Sequence, residues 1–177
     1  CPFCRRFHAE TLPALLDEYV DTGRLRIVLR DQPLPSHPNA LSAARAVRCV
    51  AEQNESLYWR YSDALLAFHE PLDPERMRTA GAKVGADVAA LKQCIASGRH
   101  DEAIASDARA AAEAGLTGTP SFVIGPTDPD GTVRGRVIRG AYPIDVFRNT
   151  IERALETANV DDAPLSADMS PAPEEDS

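Results

Sequence analysis

The chain has few cysteines, few aromatic residues and no excess of positive charge. Its 177 residues include four cysteines, two methionines and one tryptophan, and the formal net charge is −8. No basic face points to nucleic-acid binding, and no apolar run approaches the roughly 20 residues of a membrane-spanning helix. A signal peptide is also absent, but the chain opens directly on a cysteine, so this absence says little about its compartment.

The negative charge is concentrated at the carboxy-terminal end. From Asn159 onward there are six acidic residues and no Lys or Arg, and without them 21 acidic residues face 19 basic ones. Because residues 159–177 are dominated by Asp, Glu, Pro, Ser and Ala, they are predicted to form a disordered acidic tail. The rest of the chain is nearly neutral and long enough for one domain with a hydrophobic core.

The first 39 residues are predicted to form a helix, a strand and an irregular connection. Residues 2–21 carry apolar side chains at helical spacing, with Pro13 predicted to bend the helix. Residues 25–29, Leu-Arg-Ile-Val-Leu, are rich in large and β-branched side chains and are predicted to form a buried strand.

The middle of the chain is predicted to be entirely helical. Residues 37–115 combine alanine-rich and apolar helical stretches with Asp and Gly at the helix ends, and they contain no convincing strand. Two short apolar stretches, 121–125 and 132–139, then flank a turn and predict a β-hairpin, which a last helix follows.

The motif Cys1-Pro2-Phe3-Cys4 is the strongest chemical signal. Pro2 suits the first position of a helix, so Cys1 lies at or near the N-cap, where free N–H groups and the helix dipole favour a thiolate. Cys4 lies one turn further along. We therefore expect Cys1 to be the attacking cysteine of a redox pair and Cys4 the resolving one, with Pro2 and Phe3 as supporting residues.

Two other interpretations of this motif remain open. Cys1 and Cys4 could be half of a zinc site, but such a site needs a second ligand pair, and Cys49 and Cys94 are far apart in sequence. They could also form a disulfide without a catalytic role. His8, one turn beyond Cys4, could tune the thiols or be an ordinary, partly exposed helix residue.

The combination of these features resembles the DsbA-like branch of the thioredoxin superfamily. The resemblance covers residues 1 to about 156. It is carried by Cys1 to Cys4 with Phe7 and His8, the stretch from Pro33-Leu34 to His37-Pro38, the segment from Glu52 to Trp59, and Gly118-Thr119-Pro120 before the hairpin.

The resemblance implies an α/β, thioredoxin-like fold with an inserted all-helical domain. Residues 1–36 and 116–158 would form the thioredoxin-like core and residues 37–115 the helical insertion. The central strand that precedes the CxxC motif in this family is apparently missing from this chain.

The same resemblance places Pro120 beside the redox pair with a cis peptide bond, although a trans turn proline is the ordinary expectation for an X–Pro bond. Thr119 and Pro120 would then bind substrate, with the Thr119 backbone pairing with an extended segment.

Cys49 and Cys94 could be two buried free thiols. However, proteins of this family usually work in oxidising compartments, which favours a structural Cys49–Cys94 disulfide. We accordingly expect an extracytoplasmic location, whether periplasmic, secreted or membrane-anchored through a missing N-terminus, while a cytoplasmic location stays open.

The resemblance implies a thiol–disulfide oxidoreductase that acts on protein cysteines and is reset by a separate redox partner. It implies no cofactor and no metal. The direction, oxidase against reductase or isomerase, is left open. A non-catalytic peptide-binding or chaperone module is the alternative from another class, and a metal-binding protein is a third.

Overall fold

The computed structural model describes residues 1–161, which form eight α-helices and one small sheet. The helices are α1 (Pro2–Glu10), α2 (Leu12–Leu15), α3 (Ala40–Gln53), α4 (Leu57–Leu66), α5 (Pro74–Val84), α6 (Val88–Ser97), α7 (Asp101–Glu113) and α8 (Ile144–Asp161). Strands β1 (Ser121–Ile124) and β2 (Arg136–Arg139) pair antiparallel as the predicted hairpin. The predicted acidic tail lies outside the described residues beyond Asp161.

The amino-terminal helix is interrupted where the sequence predicts a bend. α1 ends at Glu10, and α2 begins at Leu12, one residue before Pro13. Proline has no N–H to donate to the preceding turn, so the hydrogen-bond ladder breaks there. A π-helical turn, Leu16–Val20, follows α2 and ends this first helical segment.

The ends of α5 and α6 follow the capping pattern predicted from the sequence. The Asp73 side chain accepts a hydrogen bond from the Arg76 N–H, and Asp87 caps the next helix in the same way. Gly85 and Gly98 end these helices with φ values of 86° and 62°, a left-handed conformation that glycine adopts without a Cβ penalty.

The predicted strand at residues 25–29 is wrong. This segment is extended but has no strand partner among the described residues, since β1 and β2 pair with each other. Val28 and Leu29 are 56% and 48% exposed instead of buried. Strand-favouring side chains do not form a ladder without a neighbouring backbone to accept and donate hydrogen bonds.

Two hydrophobic clusters organise the chain. The first contains buried residues from α3 to α6, among them Tyr61 and Leu91. The second joins the segment after α1 to the hairpin and α8, and its buried members are Leu15, Tyr19, Ile138, Phe147 and Ile151. The clusters fall on the predicted helical insertion and the predicted core, whose boundaries remain our proposal.

Three aromatic rings fix α1 against the sheet and α8. Phe7 on α1 lies 4.5 Å from Phe122 on β1 and 5.3 Å from Phe147 on α8, between ring centroids. Phe122 and Phe147 are themselves in edge contact at 4.9 Å. Such pairs add stability beyond their buried area, so the helix that begins at Cys1 is held firmly against the hairpin.

A buried carboxylate ties the extended segment to the helices. Asp107 on α7 accepts hydrogen bonds from Arg30 at 3.0 Å, from Arg48 at 2.7 Å and from the backbone N–H of Asp31 at 3.1 Å. Arg48 on α3 also donates to the Asp31 carboxylate. A buried charge is tolerated only when it is paired, and here the pairing fixes where residues 30–31 cross the helices.

Candidate active site

The Cys1 sulfur occupies the N-cap of α1. It accepts a hydrogen bond from the backbone N–H of Cys4 at 3.4 Å, and Pro2 fills the first helical position. This N–H belongs to the first turn and has no carbonyl partner within the helix, so the sulfur satisfies a donor that would otherwise be free. The CxxC motif thus positions Cys1 by its own local structure.

The second part of the site is Thr119-Pro120, which is far from Cys1 in sequence but contacts it in the fold. The Cys1 thiol donates to the carbonyl oxygen of Thr119 at 3.3 Å, and the Thr119 hydroxyl lies 3.4 Å from the same sulfur. The Thr119–Pro120 peptide bond is cis, the conformation predicted from the sequence. The Pro120 carbonyl accepts from the Gly140 N–H at 2.8 Å, which ties this loop to the end of β2.

The two cysteines are both free thiols and both half-buried, but their surroundings differ. Burial raises the pKa of the Cys4 thiol. Cys1 instead has two donors directed at its sulfur, the Cys4 N–H and the Thr119 hydroxyl. These two donors would stabilise a thiolate at Cys1, whereas the Thr119 carbonyl accepts a hydrogen bond from its thiol form.

We expect Cys1 to react with iodoacetamide faster than Cys4 at neutral pH. The raised pKa keeps Cys4 a thiol until the pH is well above neutral, and only the thiolate is nucleophilic. Alkylation followed by peptide mass spectrometry at several pH values measures both rates. The single variants Cys1→Ser and Cys4→Ser serve as controls for peak assignment, and preferential labelling of Cys4 at pH 7 would contradict the assignment.

A shallow groove includes Thr119, the residue that contacts the Cys1 sulfur. Phe3 and Tyr142 border it with side chains that are 54% and 50% exposed. Arg6 also lines it, donating to the Ala141 carbonyl at 2.7 Å, and its guanidinium carbon lies 5.4 Å from the Phe3 ring centroid. The groove therefore offers apolar, cationic and backbone groups within reach of Cys1.

His8, one turn beyond Cys4 on α1, contacts α4. Its Nε2 lies 2.7 Å from the Asp63 carboxylate on α4, and Arg5 donates to the Phe68 carbonyl at 3.2 Å beside that helix. These contacts tie α1 to the helical region. The role of His8 in tuning the thiols remains a prediction. Its partner in the structure is Asp63, and this contact connects two helices.

The other two cysteines form a disulfide that joins α3 to α6. Cys49 and Cys94 are 1% and 3% exposed, and their Cα atoms are 5.8 Å apart. His100 and Glu52 lie next to this bond, with the Glu52 Oε2 atom 3.9 Å from the Cys94 sulfur and 3.0 Å from His100 Nε2. Sequence reasoning missed these two neighbours, because they meet only when α3, α6 and the start of α7 pack together.

A family model described as thioredoxin matches residues 1–137. The chain belongs to the thioredoxin family. Its fold is that of the DsbA-like members: Wolbachia pipientis alpha-DsbA1 superimposes with a TM-score of 0.77 at 24% identity, covering 91% of this chain and 83% of that protein. The thioredoxin-like fold with an inserted helical region is thereby confirmed.

Similar sequences occur in two kinds of protein. A sodium/proton antiporter of Salinispora tropica is 30% identical over 161 residues, which cover 90% of this chain and 22% of the antiporter. A protein of Rickettsia typhi named as a protein-disulfide oxidoreductase is 26% identical over 168 residues, covering 88% of this chain and 55% of that protein. The chain thus spans from about a fifth to just over half of these relatives. Within residues 1–161, no helix is both long and apolar enough to cross a membrane.

Proposed function

We propose that this member of the thioredoxin family is a thiol–disulfide oxidoreductase that exchanges disulfides with protein cysteines. The observation that supports it best is the Cys1 sulfur, which caps α1 and contacts Thr119 from a loop 118 residues away. A helix end and a hydroxyl donor on one half-buried sulfur make an activated nucleophile. Relatives named as protein-disulfide oxidoreductases are in keeping with this chemistry.

The proposed exchange has two steps. The Cys1 thiolate attacks one sulfur of a substrate disulfide, which forms a mixed disulfide and releases the other substrate sulfur as a thiolate. Cys4 then loses its proton and attacks the Cys1 sulfur, which forms the Cys1–Cys4 disulfide and releases the second substrate thiolate. The reverse sequence transfers the disulfide to a substrate dithiol, and the relative stability of the two forms of the pair sets the direction.

The groove that includes Thr119 supports a protein substrate in extended form. The backbone next to the cis bond faces the Cys1 sulfur, where an extended segment can pair as an added strand. Phe3 and Tyr142 offer apolar contacts on either side. Thr119 and Pro120 are therefore the proposed substrate-binding residues, and a separate redox partner would use the same face to reset the pair.

The Cys49–Cys94 disulfide supports a site of action outside the cytoplasm. Structural disulfides persist in oxidising compartments and are rare where thiol reductants are abundant. This bond is buried in the hydrophobic cluster of α3 to α6, where it cross-links two helices. We propose an extracytoplasmic location on this basis.

Turnover of a model substrate tests the proposal. A fluorescent peptide with two cysteines is supplied as the disulfide with a glutathione-class thiol reductant, and in a second arm as the dithiol with oxidised glutathione. Catalysed exchange in either arm, above the rate without protein, is expected. If the protein binds the peptide but accelerates exchange in neither arm, the non-catalytic binding or chaperone module would be favoured instead.

A further inference from the structure

A set of zinc-type donor groups surrounds the structural disulfide. One ligand atom from each of Cys49, Cys94 and His100 lies within 4.8 Å of the others. The Glu52 carboxylate adjoins both Cys94 and His100, at 3.9 and 3.0 Å. Two sulfurs, an imidazole and a carboxylate are the ligand types that hold Zn²⁺ in tetrahedral sites.

The geometry is near that of a bound ion. Zinc–sulfur and zinc–nitrogen bonds of about 2.0–2.3 Å place tetrahedral ligand atoms roughly 3–4 Å apart. Once the sulfur–sulfur bond is broken, the two sulfurs have to separate by about 2 Å, and the His100 nitrogen, within 4.8 Å of both, has to approach by about an ångström. In the oxidised protein both sulfurs are committed to each other and cannot act as thiolate ligands.

We propose that Cys49, Cys94, His100 and Glu52 form a binding site for a zinc-class divalent cation when the disulfide is reduced. A dithiol reductant transfers two electrons to the disulfide and becomes a disulfide itself, leaving two thiols on the protein. The cation then displaces two protons and binds both thiolates. The sequence assigned no metal ligands, because it did not show that His100 and Glu52 meet the cysteines.

The surrounding charges suit this exchange. Two thiolates and one carboxylate give a bound Zn²⁺ site a net charge of −1 when the histidine is neutral. Arg99 already donates to Glu52 at 2.9 Å and offsets that charge. Cys49 and Cys94 are buried, which shields the sulfurs from water, while His100 is half-buried and opens a path to solvent.

Cobalt binding tests the site directly. The full chain carrying Cys1→Ser and Cys4→Ser, which removes the other thiol pair, is reduced with a phosphine and its two remaining thiols are counted. Titration with Co²⁺ should give one equivalent of a tetrahedral complex with sulfur-to-cobalt charge-transfer absorption, which Zn²⁺ bleaches. The oxidised chain should show neither band.

Matched variants show whether the four residues act together. His100→Asn and Glu52→Gln should each weaken Co²⁺ binding roughly 10- to 100-fold. The control variants His69→Asn and Glu55→Gln, at exposed residues outside the site, should leave it within about twofold. If His100→Asn and His69→Asn bind Co²⁺ equally well, only the two cysteines hold the ion, and the proposal is overturned.

The fold of the reduced chain provides a second readout. Bound zinc should raise its melting temperature, because a ligand that binds the folded state stabilises it. If reduction lowers the helical circular dichroism signal, zinc should restore it. A reduced chain that gives no cobalt bands, or that stays unfolded with zinc, would overturn the proposal.

Discussion

Replacing Cys1 by serine is expected to abolish disulfide exchange in the peptide assay, with a loss of about 10³-fold or more. A serine hydroxyl keeps the N-cap hydrogen bond but is not ionised near neutral pH, so it cannot attack a disulfide sulfur. The initial rate of fluorescence change, with equal protein concentrations, measures the effect.

Folding and binding controls make this result interpretable. Serine is a good N-cap residue, so the Cys1→Ser variant should melt close to the parent protein. Peptide binding, measured by fluorescence anisotropy, should also persist, because Phe3 and Tyr142 are unchanged. A Cys1→Ser variant that keeps a tenth or more of the parent rate would contradict the role of Cys1 as nucleophile.

Removing the structural disulfide should have the largest effect on stability. The Cys49→Ala/Cys94→Ala variant should lose about 4 kcal/mol of unfolding free energy in the chain-entropy model, for a cross-link between residues separated by 45 positions. Two buried sulfurs also leave small cavities in the cluster formed by α3 to α6. Urea unfolding under non-reducing conditions, followed by circular dichroism, measures the change.

The matched control for this prediction is the other cysteine pair. Cys1→Ser/Cys4→Ser leaves the Cys49–Cys94 disulfide intact and changes two half-buried thiols at the end of α1. The unfolding midpoint of this variant should stay near that of the parent protein, measured while Cys1 and Cys4 of the parent are in the thiol form. Equal midpoints for the parent and the Cys49→Ala/Cys94→Ala variant would show that the disulfide contributes little.

Local structure could be predicted well from the sequence, because its causes are local. Asp73 and Asp87 accept hydrogen bonds from the N–H groups that begin their own helices, and Gly85 and Gly98 adopt the conformation that ends them. The position of Cys1 belongs to the same class, since its sulfur contacts the N–H of Cys4 only three residues away. A sequence pattern contains all the atoms that decide these features.

The predicted strand at residues 25–29 failed for the opposite reason. Its Val and Ile residues have real strand preference, but a strand exists only with a paired backbone, and none of the described strands lies beside it. Residues 30 and 31, which follow it directly, are tied to α7 through Asp107 and to α3 through Arg48. Such ion pairs depend on the packing of helices far apart in sequence and leave no local pattern.

The contact between Cys1 and Thr119 could not be predicted from local sequence patterns. The contact between Cys1 and Thr119 spans 118 residues, and only the family resemblance placed Thr119-Pro120 beside the thiols. His100 and Glu52 had no such guide. Their distances to Cys94 follow from the packing of three helices, and no sequence pattern links them to that cysteine.

The most direct test of the account is to trap the covalent intermediate. In the Cys4→Ser variant the second step is blocked, so a substrate disulfide should leave a stable mixed disulfide between one substrate cysteine and Cys1. Non-reducing digestion and mass spectrometry identify the bonded cysteine on each side. One cross-link is expected, on Cys1, and it should be lost on adding dithiol and absent from Cys1→Ser. A cross-link on Cys49 or Cys94, or none with a substrate that the parent protein turns over, would contradict it.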